Sequence, residues 1–220
     1  MKKNILIFYS LLTLLLVACN KTNIHNTEEE IGISRVTHFP VLTLNGERYT
    51  TIAAGSAFVD PGVVAKEGSA DITYTKSGSV VDTNVPGVYI ITYTAINKDG
   101  FPASVKRTVV VYSTDAGAAS NDLSGAYLRT ATGFASSWTK LAPGVYLVTN
   151  PGGASVGTST SVIVFNSTGN NIHMPSQQIS DGSEMTSSDE IYTQGSPSKY
   201  VWKILNAPTY GTGLRTFIKQ

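Results

Sequence analysis

The chain has 220 residues, with 16 Lys and Arg against 15 Asp and Glu and a formal charge of +1. The basic residues are scattered singly, so no stripe exists to neutralise a phosphate backbone, and nothing in the chain calls for nucleic acid. A single cysteine leaves no pair for an internal disulfide or a thiolate zinc site, and stability must come from packed cores.

That cysteine closes the most informative segment. Lys2 and Lys3 precede an uncharged run that ends in Leu16-Val17-Ala18-Cys19. At about 16 residues the run is short of the roughly 20 that span a bilayer. The arrangement resembles a bacterial lipoprotein signal peptide, with residues 1–18 removed and Cys19 as the lipidated first residue. An ordinary secretory signal, or a single membrane anchor with a chance cysteine, is the alternative. Acyl chains on Cys19 would fix the mature protein to a membrane, because each buried methylene adds about 0.8 kcal/mol. Loss of both lysines takes the formal charge to about −1. Asn20-Lys21 lacks the Asp that retains lipoproteins in the inner membrane, so the expected location is the outer membrane, at the cell surface rather than its periplasmic face.

Residues 19–37 are polar, carry Glu28-Glu29-Glu30 and show no sustained apolar period, which reads as a flexible tether. From residue 38 the pattern changes to short runs of Val, Ile, Thr and Tyr broken by Gly, Pro, Asn and Asp, an all-β rhythm. Val41-Leu42-Thr43-Leu44 runs into Asn45-Gly46, residues 71–76 alternate, and residues 88–96 lead through Asn97-Lys98-Asp99-Gly100 to residues 105–112. Asp99-Gly100 supplies the positive φ of a tight hairpin, making residues 89–96 and 105–112 antiparallel neighbours. Residues 38–114 are thus expected to form a small β-sandwich.

Gly55-Ser56-Ala57-Phe58-Val59-Asp60-Pro61-Gly62-Val63, Asp71-Ile72-Thr73, Pro86-Gly87-Val88-Tyr89 and Asn97-Lys98-Asp99-Gly100 resemble bacterial Ig-like domains of the hyalin-repeat-like type over residues 40–113. The resemblance implies a spacer or binding module without a catalytic site. Asn97 stands where relatives carry Asp, which speaks against a calcium site between repeats. The same residues also have a purely structural account: Phe58 and Tyr93 enter a core while Asp60-Pro61-Gly62 turns the chain.

Residues 115–122 are small and polar and read as a linker. Residues 123–220 resume the strand pattern, with enough runs for a small β-barrel or a second sandwich. Leu123-Ser124-Gly125-Ala126-Tyr127-Leu128-Arg129, Pro143-Gly144-Val145-Tyr146, Val201-Trp202-Lys203 and Tyr210-Gly211-Thr212-Gly213-Leu214-Arg215-Thr216-Phe217 resemble the lipocalin-like C-terminal domain that follows such an Ig-like module in Bacteroidetes outer-membrane lipoproteins. That family is largely of undetermined function. Some two-domain lipoproteins of these bacteria sit beside glycan importers and hold polysaccharide, so the resemblance implies an envelope setting and suggests glycan binding.

Little in the chain converges on chemistry. His25, His38 and His173 have no ligand at the spacing metal sites use, and no Gly-x-Ser-x-Gly elbow appears. Asp181, Glu184, Asp189 and Glu190 fall in a polar segment that reads as a mobile solvated loop, with calcium binding or a glycosidase pair as the other readings. Gly152-Gly153 reads as a turn and not a phosphate loop. The aromatic inventory is richer: Trp138, Trp202, Tyr200 and Tyr210 are candidates for a sugar platform, because flat rings with a polar handle match the C–H faces of sugars. Burial of the same rings in a core is the competing reading. The sequence therefore leads to an all-β, noncatalytic envelope lipoprotein without metal or cofactor that captures an extracellular glycan for uptake through its C-terminal domain. The alternative is a structural protein that packs on an outer-membrane importer or another lipoprotein.

Overall fold

A computed structural model describes residues 30–31, 34–206, 210–211 and 213–220. The expected signal peptide, Cys19 and His25 lie outside the described residues. The chain divides into a unit spanning Met1–Phe39 and a compact unit spanning Pro40–Gln220. In the first, β1 (Glu30–Ile31) and β2 (Ser34–Arg35) pair antiparallel, so the stretch expected to be tether throughout holds a short hairpin.

The second unit begins with a sandwich. One sheet has the order β3 (Pro40–Leu44), β5 (Val63–Glu67), β6 (Ala70–Asp71). The other has the order β4 (Tyr49–Ala53), β9 (Pro102–Tyr112), β8 (Gly87–Ile96), β7 (Tyr74–Gly78), with β4 parallel to β9. The alternating run at 71–76 is shared between the sheets: it leaves β6 at Asp71 and enters β7 at Tyr74. The β8–β9 hairpin turns at Gly100, whose φ of +87° is the left-handed region that glycine adopts without strain. Ile52, Val63, Ile91, Tyr93 and Val109 form the sandwich core, with Phe58 packed against it.

The segment expected to be a linker contains helix α1 (Ala116–Ser120), capped by the Asp115 side chain, which accepts from the Ala118 N–H. A sheet of β10 (Gly125–Arg129), β11 (Ala135–Ala142), β12 (Val145–Thr149), β13 (Ser161–Phe165), β14 (Gln177–Gln178), β15 (Glu184–Thr193), β16 (Lys199–Leu205) and β17 (Arg215–Lys219) follows. Its order, β13-β12-β11-β10-β17-β16-β15-β14, brings the first and last strands round to each other in a nearly closed barrel. The Gln177 side chain bridges that seam as a strand peptide would, accepting from the Ile163 N–H at 2.7 Å and donating to the Ile163 carbonyl at 2.8 Å. Backbone bonds between Phe165 and His173 extend the seam.

Sandwich and barrel share a third apolar cluster. Odd residues of β9 face the sandwich core, whereas Val110 points outward and packs with Val145, Ile163 and Phe165 on the outer face of the barrel. Tyr49, Val88 and Tyr112 complete the contact. Burial of this surface fixes one module against the other.

Candidate functional site

The proposed platform residues lie inside the barrel. Tyr200 and Trp202 are fully buried, Trp138 is 2% exposed and Tyr210 is 8% exposed. Alternation along β16 sends Tyr200, Trp202 and Ile204 inward, and Tyr200 stacks on Phe217 with ring centroids 4.6 Å apart. Trp138 lies 5.1 Å from Tyr200 and 6.0 Å from Trp202, so the rings cover one another's faces. The four rings therefore pack mainly on the barrel interior and form no exposed platform. Burial raises the Tyr200 hydroxyl well above its ordinary range, with Ser136 and Trp138 pulling it partly back, and the group stays neutral.

The acidic segment is also ordered differently from its composition. Glu184, Asp189 and Glu190 belong to β15, whose Met185 and Ser187 turn inward and whose register shifts between Ser188 and Ile191. The bulge at Asp189, with φ of +54°, turns its carboxylate to Lys203 at 2.7 Å. Glu190 accepts from Ser187 at 2.6 Å and meets His173 Nδ1 at 2.9 Å. Asp181 accepts from the Ser183 N–H at 2.8 Å, and Ser176 donates to Glu184. Each carboxylate is thus satisfied by its own neighbours. Among the described residues no group of three or more His, Cys, Asp or Glu could hold a metal ion.

The Asp60-Pro61-Gly62 motif serves the sandwich interior. Arg107 is fully buried and donates to the carbonyls of Asn45 at 2.7 Å and Gly62 at 3.1 Å, and to that of Glu47. Asp60 supplies its counter-charge at 3.6 Å and accepts from the Tyr93 hydroxyl. Burial works to raise the Asp60 carboxyl, but hydrogen bonds from Tyr93, the Gly62 N–H and Lys76 outweigh it and hold the group below its ordinary value.

The concave surfaces lie elsewhere. A groove of about 610 Å³ on the sandwich is lined by Phe58, Val59, Val80, Val81 and Ile91, with Asp60 and Lys76 at its edge. A cleft of about 460 Å³ opens where the outer face of β8 and β9 diverges from the barrel, with Tyr49, Lys106, Thr108, Ser161, Gln177 and Gln178 among its lining. Lys106 spans it, donating to Gln178 Oε1 at 2.8 Å. A space of about 360 Å³ adjoins it and shares Val88, Ile90, Gln177 and Gln178. Sequence reasoning passed over Arg48, Tyr49, Lys106 and Gln178, which come together only through the docking of the modules. The one local signal was the polar outward pair Lys106 and Thr108 on a strand whose other face is core.

Residues 42–111, which lie in the sandwich, match the family model of the bacterial surface protein Ig-like domain. Among solved structures, the crystal structure of the lipoprotein BT2262 from Bacteroides thetaiotaomicron is similar at 22% identity and a TM-score of 0.43, covering 83% of this chain and 100% of that one. No curated protein matches the chain. The similarity to bacterial surface Ig-like domains is thus confined to the sandwich.

Proposed function

We propose that the chain is a noncatalytic envelope protein, held at the outer membrane through lipid on Cys19, that captures an extracellular glycan for uptake in the cleft between sandwich and barrel. The observation that carries this reading is the chemistry of the cleft lining. Hydroxyls of Ser104, Thr108, Ser159 and Ser161 and the amide of Gln178 match the alternating donors and acceptors of sugar hydroxyls, and Tyr49 lines the cleft with the Arg48 guanidinium over its ring. The apolar cluster beneath fixes both walls before a ligand arrives, which limits the ordering a ligand would impose.

Affinity electrophoresis of the purified protein through gels cast with plant, host and microbial polysaccharides tests the reading. Retardation by a glycan that is lost in Gln178→Ala and in a folded Tyr49→Ala protein supports it. Free migration of the wild type through every gel overturns it.

One observation favours a second reading, an interaction protein that docks on an outer-membrane importer or another lipoprotein. Val59 and Val80 are 86% and 90% exposed beside the sandwich groove. Under that reading Val80→Asp abolishes co-purification of an envelope partner and leaves polysaccharide gels unaffected.

A further inference from the structure

The barrel holds a buried arginine, Arg215, beside a half-buried one, Arg129, and among the described residues no carboxylate neutralises either. Arg129 ends β10 directly opposite Phe217 of β17, and Arg215 lies two residues before Phe217 on that strand. Phe217 is fully buried inside the barrel, so strand alternation turns both arginines to the interior at the same end. That end carries the loops 130–134 and 150–160. Arg215 is only 7% exposed. Its Nη1 donates to the Gly213 carbonyl at 3.1 Å, and Arg129 Nη1 donates to the Gly152 carbonyl at 3.2 Å.

Those neutral carbonyls leave most of each donor fork unused. The Nε atoms of both arginines are buried without a hydrogen-bond partner. Trp202, the direct cross-strand partner of Arg215, also buries an unpartnered indole N–H. Among the described residues no carboxylate forms an ion pair with either arginine. Burial and then the charge on Arg129 both act to lower the pKa of Arg215, the Tyr210 hydroxyl opposes them only in part, and the Arg215 Cζ lies 5.5 Å from the Tyr210 ring centroid. Like charges confined together with spare donors call for an acceptor bearing negative charge.

We propose that Arg129 and Arg215 form a binding site for an oxyanion, the carboxylate or sulfate group of an acidic ligand, at the loop-bearing end of the barrel. The planar guanidinium fork matches both groups with paired hydrogen bonds. The 150–153 turn forms the wall of the site. Gly152 lies so close to Tyr210 that a Cβ there would fall 2.3 Å from the ring, and a Cβ on Gly153 would fall 2.7 Å from Arg129 Cβ. Asn150 holds the turn in place by donating to the carbonyls of Ala135 at 2.9 Å and Ala154 at 3.0 Å. This site is separate from the cleft between the modules and does not depend on the glycan reading.

The test is thermal unfolding of the purified protein as sodium sulfate replaces sodium chloride at constant ionic strength. A saturable rise in melting temperature is expected, about 5 °C at a hundredfold excess over Kd. Arg215→Gln and Arg129→Gln lose the response, and Arg129→Lys, which keeps the charge without the fork, weakens sulfate binding about tenfold. Without sulfate, Arg129→Gln melts no lower than the wild type, whereas a purely structural arginine would leave it less stable. Galacturonate acting where galactose does not identifies an acidic sugar as the ligand source, and sulfate acting alone identifies a free inorganic ion. Equal melting in sulfate and chloride, or a response retained in both glutamine variants, overturns the proposal. Polysaccharide gels report on the cleft independently, so either idea can fail while the other stands.

Discussion

The sandwich and the barrel each bury an arginine, and they treat it in opposite ways. Arg107 sits in the sandwich with Asp60 at 3.6 Å and backbone carbonyls around its guanidinium, so its charge is balanced inside the fold. Arg215 sits in the barrel beside Arg129, with carbonyls at its edge and no acid. The first arrangement is complete and holds the Asp60-Pro61-Gly62 turn against the core. The second is incomplete, and a buried charge left incomplete by its own fold is suited to a partner from outside.

The largest effect expected concerns neither arginine. Trp202→Ala empties the centre of the aromatic core and destabilises the protein by about 3–5 kcal/mol in urea unfolding. A negligible change would show that the barrel interior is not the packed core described here. Asp60→Asn strands the Arg107 charge and is expected to cost about 3 kcal/mol. An Asp60→Asn protein as stable as the wild type would erase the contrast between the two arginines.

The same carboxylate gives a pH signature. Its folded pKa lies below the ordinary carboxylate value of 3.8, so its contribution is present above that value and fades as pH falls through the lower folded pKa. The stability gap between wild type and Asp60→Asn, measured by urea midpoints, therefore narrows from pH 7 toward pH 3. Gln177→Ala removes both hydrogen bonds that close the barrel seam and is expected to cost about 1–3 kcal/mol, the range for leaving buried partners unsatisfied. Smallest of all is the change in ligand-free Arg129→Gln, within about 0.5 kcal/mol of the wild type or above it.

Sandwich and barrel also differ in how much their sequences disclosed. The β8–β9 hairpin was legible because alternation and Asp99-Gly100 are local signals, and the observed pairing runs from Gly87↔Val111 to Ile96↔Pro102. The all-β class followed from the same kind of signal. Local pattern was less informative for β15, where Ser, Thr and acidic residues suggested a loop. Its place is secured by pairing to β16 and by the inward Met185. The alternation Val201-Trp202-Lys203 showed that Trp202 faces one side of a strand but not whether that side is solvent or core. The answer depends on a seam formed by Gln177 with Ile163 and His173 with Phe165, residues far from Trp202 in the chain. That Arg129 and Arg215 meet is illegible in the sequence for the same reason, since only the β10–β17 pairing brings them together.

The most direct test of the contrast is an NMR titration of sulfate into the protein labelled at arginine Nε. A saturable shift of the Arg129 and Arg215 Nε–H signals with the Arg107 signal unmoved is the predicted result. Signals that stay still, or that all drift together in proportion to ionic strength, would show that the barrel arginines are as self-contained as the one in the sandwich.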